Sequence, residues 1–191
     1  MPLKITTPFR WPAPLSRKPF NLLLWAIVRL NHQLTGVPIK ALCHVTPDLF
    51  VGGKISRAGW ERLTSWGVGT LINLRVERDD LKLGIRPHTY VWLPTIDGTP
   101  PTLEQLDIGV RAIAQSISEG RKVYVHCAAG VGRAPILAAA YLVTQGYSPE
   151  EALRIVRRGR PIAGPGRWQQ ARLREFAHRW QTAAEAVSAP A

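Results

Sequence analysis

The sequence predicts an α/β fold, a mostly parallel central sheet with helices on both faces. Three observations carry this reading. From Thr46 onward, short apolar runs alternate with longer segments whose apolar residues recur every three or four positions. Glycines and prolines punctuate the junctions. Two of the longer segments open on a capping-box spacing, which fixes where those helices begin.

In chain order, DLFVGG (Asp48 to Gly53) reads as a short strand running into a glycine turn. Arg57 to Trp66 follows as a helix stopped by Gly67. GTLINL (Gly69 to Leu74) and TYVWLP (Thr89 to Pro94) are buried strands. Thr102, with Gln105 three residues on, opens a helix whose Leu103, Leu106, Val110, Ile113 and Ile117 line one face. Gly120 ends it, and KVYVH (Lys122 to His126) is the next strand. APILAAAYLVTQG makes an apolar helix to Gly146. Ser148-Pro149-Glu150-Glu151 is the second capping box, with proline at the first helical position, and its helix runs to about Arg158. A final helix spans Trp168 to about Ala184.

Ahead of these elements, residues 1–45 form a basic N-terminal segment. The globular domain is expected over 46–185, with a tail at 186–191. The first 40 residues contain no Asp or Glu but carry Lys4, Arg10, Arg17, Lys18, Arg29 and Lys40. FNLLLWAIVRLNHQLTG (Phe20 to Gly36) reads as a helix. Its unbroken apolar run, Leu22 to Val28, is far shorter than the roughly 20 residues a spanning helix needs. Two readings stay open: a helix docked on the domain, or an interfacial helix with Trp11, Phe20 and Trp25 among basic residues, giving residues 1–35 a peripheral contact with anionic membrane.

The formal net charge of +12 favours anionic partners. No RNP-type aromatic signature, zinc-finger spacing or helix-turn-helix accompanies it, so no nucleic acid is expected. Two cysteines, Cys43 and Cys127, are too few for a disulfide framework and point to a reducing, cytoplasmic setting.

The chemistry concentrates in VYVHCAAGVGRAP, Val123 to Pro135. Between Cys127 and Arg133 lie Ala128, Ala129, Gly130, Val131 and Gly132, small residues joining a strand to a helix. Such a loop can turn successive backbone N–H groups toward one tetrahedral anion, with the helix dipole adding to the field. Arg133 can offer a planar fork to two oxygens of a phosphoryl group. Cys127 would lie beneath, its thiolate stabilised by the same amides and placed for in-line attack on phosphorus. His126 either orients this loop or is a core histidine. The acid for a leaving oxygen is expected to be Asp97, in the Gly/Pro loop IDGTPP between a strand and a capped helix. Asp48, Asp79 and Asp80 are weaker candidates, and Asp107 belongs on a helix's polar face. No metal and no cofactor is expected.

HCAAGVGR resembles the His-Cys-x2-Gly-x2-Arg signature of the cysteine-dependent protein tyrosine and dual-specificity phosphatases. From about Thr46 to Phe176 the element order looks like the compact dual-specificity domain. The resemblance implies Cys127 as nucleophile, Arg133 as phosphate and transition-state clamp, and Asp97 as general acid. The substrate would be a phosphorylated protein or lipid. RRGRP and WQQARLREF look like the family's C-terminal region, with Gln169 and Gln170 near where relatives carry a glutamine. GVGRAP and IDGTPP are most similar to the phosphatases of regenerating liver. Those relatives carry a second, redox-active cysteine near the position of Arg75 and a prenylation box at the C-terminus. This chain has neither, so a disulfide switch and a lipid anchor are not carried over, and Cys43 is read as an unreactive thiol. The lipid-phosphate phosphatases are a second resemblance. Their loops often carry a lysine after the cysteine, absent here, which argues against a polyanionic inositol headgroup.

Most of the family carries serine or threonine where this chain has Ala134, so slow breakdown of the cysteinyl phosphate is expected. Two other classes stay open beside the phosphatase: a rhodanese-type sulfurtransferase, and a catalytically weak binding module that keeps the cradle for docking.

Overall fold

The structure, a computed structural model, describes residues 23, 26–28, 30, 31 and 33–188. Its strands are β1 (His44–Thr46), β2 (Leu49–Gly52), β3 (Val68–Arg75), β4 (Thr89–Thr95) and β5 (Lys122–His126). Helices α1 (Arg57–Thr64), α2 (Leu103–Ser118), α3 (Arg133–Thr144), α4 (Pro149–Gly159) and α5 (Arg167–Ser188) alternate with or follow them. The sheet order is β1-β2-β5-β3-β4, with β1 antiparallel to β2 and every other pair parallel. This is the mostly parallel sheet the sequence predicts.

Strand alternation divides the core in two. Leu49, Val51, Ile72, Leu74, Val123 and Val125 face one side, where α2, α3, α4 and α5 pack. Phe50, Leu71 and Tyr124, the residues between them, face the other side with Trp60 and Leu63 of α1. Burying each such side chain contributes about 1.5–3 kcal/mol, so the two-sided pattern fixes the register of every strand. Both capping boxes form as the sequence predicts, Thr102 with Gln105 and Ser148 with Glu151. Helix α3 is buried from Arg133 to Val143, and its alanines let neighbours come close. Gly109 of α2 is one such approach, since a Cβ there would lie 2.5 Å from Leu137 Cδ1.

Several bounds differ from the sequence reading. The sheet begins at His44, two residues before the expected domain start, because β1 adds a short edge strand on β2. Helix α5 runs through the expected boundary at 185 to Ser188. A 3₁₀ turn over Asp80–Leu83, closed by Gly84 at φ 75°, breaks the β3–β4 connection.

Of the N-terminal helix, Trp11, Phe20 and Trp25 lie outside the described residues. Its described residues are helical as far as Leu34, and Asn31 Nδ2 donates to Val37 O at 2.7 Å. Val28 is buried, and the chain after the helix is fastened to α1. Ser56 N donates to Gly36 O and Ser56 Oγ to Thr35 O. Among the described residues no helix is long and apolar enough to cross a membrane.

Because β2, β5, β3 and β4 run parallel, whatever follows each of them emerges at the same edge of the sheet. Gly53, Cys127, Glu77 and Asp97 all follow these strands closely. The topology assembles the site.

Candidate active site

The loop from Cys127 to Arg133 joins β5 to α3, and each of its carbonyls from Ala128 to Gly132 is tied down. Ala128 O accepts Lys54 N at 3.0 Å, Val131 O accepts Gly164 N at 2.9 Å and Gly132 O accepts Ile136 N at 3.2 Å. Ala129 O and Gly130 O accept Arg160 Nη2 and Nε at 2.7 and 3.2 Å. In a trans peptide the N–H points opposite to its C=O. Five carbonyls held outward therefore turn the amides of Ala129, Gly130, Val131, Gly132 and Arg133 inward. Gly130 N donates to Cys127 Sγ at 3.3 Å. The amides of Ala128, Ala129, Val131, Gly132 and Arg133 donate to no group among the described residues. They are free for an anion at the positive end of a 12-residue helix.

The glycines follow from this geometry. Gly130 has φ 68°, and a Cβ there would stand 2.4 Å from the Gly52 carbonyl carbon and 2.8 Å from Arg160 Nη2. At Gly132 a Cβ would meet Gln169 Oε1 at 2.6 Å.

Arg133, 1% exposed, is aimed by acceptors on three segments. Its Nη1 donates to Thr95 O at 2.6 Å, to Leu74 O at 3.3 Å and to Glu77 Oε1 at 3.3 Å. Its Nη2 lies 2.8 Å from Asp97 Oδ1 and 3.3 Å from Glu77 Oε1. Its Nε has no partner among the described residues. A buried guanidinium with one free N–H, beside five free amides, is built to receive oxygen.

Asp97 is the expected acid that the fold brings to the site, with its side chain 73% exposed at the rim. Its loop is anchored at both ends: Thr95 O on Arg133, and Thr99 O on Gln169 Nε2 at 3.0 Å. The other acidic candidates go elsewhere. Asp48 lies beside the start of β5, where its O accepts Val123 N, at the far end of the sheet. Asp79 caps the 3₁₀ turn, Asp80 is buried against His126, and Asp107 pairs with Arg179.

Gln169, weakly matched in the sequence, packs against Gly132 and bridges to the Asp97 loop, whereas Gln170 donates to Pro165 O. Cys43 is buried outside the site, and burial pushes its thiol up to about 12, which fits an unreactive residue. The sequence reading missed two residues. Glu77 steers Arg133, and Arg160, buried after α4, clasps two loop carbonyls and Leu42 O. Burial holds the Arg160 guanidinium below its ordinary value, and its N–H groups donate to the carbonyls of Ala129, Gly130 and Leu42. The sequence signal for Arg160 was its place in RRGRP, the run that resembles the family's C-terminal region and closes a helix with an Arg-Pro pair.

Residues 50–147, half of the chain, match the family described as the polymorphic toxin system DSP-PTPase phosphatase. The chain belongs to the dual-specificity and tyrosine phosphatase family. It is 32% identical over 114 residues to dual specificity protein phosphatase 12 of Homo sapiens, covering 58% of this chain and 33% of that protein. Over 106 residues it is 36% identical to protein tyrosine phosphatase type IVA 2 of Mus musculus, covering 52% of this chain and 62% of that one. It thus spans less than two thirds of either relative. Among solved structures, PTPMT1 in complex with PI(5)P is similar at TM-score 0.67 and 25% identity, over 73% of this chain and 96% of that one.

Ala134 is fully buried in the first turn of α3, with no hydroxyl to direct at the loop. Ala134→Ser in this phosphatase-family chain is expected to speed the second chemical step by roughly 10- to 100-fold. That is the worth of a hydrogen bond to a departing thiolate, about 1.5–3 kcal/mol. Rapid-quench measurement of the phosphoenzyme checks this. A wild type that accumulates no intermediate, with the serine variant no faster, makes Ala134 a helix-start residue and nothing more.

Proposed function

We propose that this protein is a metal-independent phosphatase that hydrolyses phosphate monoesters of a protein or lipid through a cysteinyl-phosphate intermediate. The observation that carries the reading is the loop that opens on Cys127, with five free amides, Gly130 N donating to Cys127 Sγ, and the free Nε of Arg133 at its end. The Cys127 thiolate attacks phosphorus as the ester P–O bond breaks, and Asp97 gives its proton to the leaving oxygen. Arg133 and the loop amides hold the equatorial oxygens. Water then attacks the same phosphorus, Asp97 takes its proton, and the S–P bond breaks to return the thiolate and release inorganic phosphate. A sulfurtransferase has no need of an acid poised at the rim.

The described part of the N-terminal helix favours work at an anionic membrane surface, on the cytoplasmic side, where Cys127 stays reduced. Leu23, Ile27, Leu30 and Leu34 are between 48% and 74% exposed. Their 4-3-4 spacing places them in one stripe, and at about 100° per residue buried Val28 falls outside it. The first acidic residue of the chain is Asp48, so every charged side chain of the segment before it is basic. Apolar surface among cations suits anionic headgroups.

One experiment tests both parts. Phosphate release from a phosphotyrosyl peptide and from a phosphorylated lipid in anionic vesicles is compared between wild type and Ile27→Glu/Leu30→Glu. The variant is expected to leave vesicles and lose lipid turnover while peptide turnover stays unchanged. Retained vesicle binding removes the membrane reading. No release from any phosphate monoester, or release that depends on added metal, removes the phosphatase reading.

A further inference from the structure

We propose that Arg160 is a positioning residue whose buried charge, set behind the peptide between Ala129 and Gly130, strengthens the amide bond to the Cys127 sulfur. The kinetic consequence rests on the phosphatase reading, while the geometry and the deciding measurement need no turnover.

That peptide lies between the guanidinium and the sulfur. On one side Ala129 O accepts Arg160 Nη2 at 2.7 Å. On the other, Gly130 N donates to Cys127 Sγ at 3.3 Å. The C=O and N–H of a trans peptide point in opposite directions, so one rigid unit carries both bonds. Its dimensions put Nη2 no more than about 8 Å from Sγ. A charged donor on the carbonyl polarises the peptide and makes its N–H a stronger donor. The next peptide is arranged in the same way. Gly130 O accepts Arg160 Nε at 3.2 Å, and Val131 N–H is one of the amides left for an anion. One guanidinium thus backs an amide for sulfur and an amide for phosphate.

No other anion answers the charge of Arg160. Arg133 has Glu77 and Asp97 on its fork. Arg160, 1% exposed, donates only to carbonyls, and no carboxylate pairs with it among the described residues. A buried cation in that position favours a negative charge nearby. The ionisable groups around it are Tyr124, Cys43 and Cys127. Burial raises the Tyr124 hydroxyl well above its ordinary value and the Cys43 thiol to about 12, so both stay neutral. Cys127, the nucleophile, is the group left to carry the charge.

The chain makes room for this contact at two glycines. A Cβ on Gly130 would stand 2.8 Å from Arg160 Nη2, and one on Gly159 would stand 2.2 Å from His44 O. The second approach seats the end of α4 on β1, where Arg160 Nη1 donates to Leu42 O at 3.0 Å. The guanidinium is therefore aimed from the far side by the chain leading into β1.

The test is alkylation of Cys127 by iodoacetamide at neutral pH, with Cys43 buried and unreactive. Arg160→Gln keeps N–H donors and removes the charge. It is expected to slow alkylation by roughly 10- to 30-fold, the effect of a unit charge about 8 Å away at an effective dielectric of about 20. Arg160→Lys keeps the charge and loses the planar fork, and is expected to stay within about 3-fold of wild type. A role confined to holding the loop in shape needs the fork and would slow both variants alike. On an aryl phosphate, kcat/KM should follow the same order as alkylation. A glutamine variant alkylated as fast as wild type overturns the proposal, and so does a lysine variant as slow as the glutamine one. If the glutamine variant does not fold, the lysine variant decides, and a loss of about 10-fold or more overturns the proposal. The alkylation order without turnover of any phosphate ester removes the phosphatase reading and leaves this one in place.

Discussion

Cys127→Ser is expected to abolish turnover while leaving phosphate binding in place. The binding groups are the free amides of the loop and the guanidinium of Arg133, none of which includes the sulfur atom. Serine keeps the size of the site, so the carbonyl ties to Lys54, Arg160 and Gly164 persist. What is lost is the nucleophile. At neutral pH a hydroxyl holds its proton, and Asp97, committed to the leaving oxygen, is not placed to take it. The loss should reach roughly 10⁴-fold or more, the scale on which removal of a nucleophile acts. Calorimetry with inorganic phosphate or a slowly turned-over phosphopeptide should show affinity within a few-fold of wild type. Substantial residual turnover would rule out the thiolate route. Lost phosphate affinity would mean that the sulfur, through Gly130 N–H at 3.3 Å, is needed to shape the loop.

The parts of the site that could be read from the sequence are those written in consecutive residues. Cys127 to Arg133 is one turn between a strand and a helix, and its small residues state what the backbone does. Asp97 was readable because a Gly/Pro loop between a strand and a capped helix leaves few other uses for a carboxylate. The parts that could not be read come from far along the chain. Arg160 ties Leu42 O, 118 positions away, to loop carbonyls about 30 positions away. Glu77 reaches Arg133 across 56 positions. Nothing local distinguishes Glu77 from a solvated charge, and Arg160 had only its place in RRGRP at the end of a helix. The fold divides in the same way. Strands with several buried residues and boxed helices stood out. Strand β1 did not, since it has three residues and only Val45 buried, and neither did the 3₁₀ turn, whose Asp80 is buried where sequence alone would leave it in water. In the N-terminal helix the apolar run was legible, but which of its residues face the domain was set by the docking of Thr35 and Gly36 on Ser56.

Asp97→Ala is expected to move kcat and KM in the same direction for two separate reasons. As general acid, Asp97 protonates the leaving oxygen, and losing such a group lowers kcat by roughly 10²–10⁴. The loss should be largest for alkyl phosphates, whose leaving alkoxides are strong bases. For aryl phosphates with acidic phenols it should shrink, because those leave without a proton. The second effect comes from the resting geometry. Asp97 Oδ1 stands 2.8 Å from Arg133 Nη2, so the carboxylate occupies a donor that the substrate phosphate also needs. Binding has to displace it, and alanine removes that competitor. KM should therefore fall along with kcat, and inorganic phosphate should inhibit the variant more strongly than the wild type. A residue that merely supported its loop would give neither pattern, since loosening the loop frees Thr95 O and weakens the aim of Arg133. Equal losses on aryl and alkyl phosphates, with KM raised, would assign Asp97 to loop support and leave the acid to be sought elsewhere.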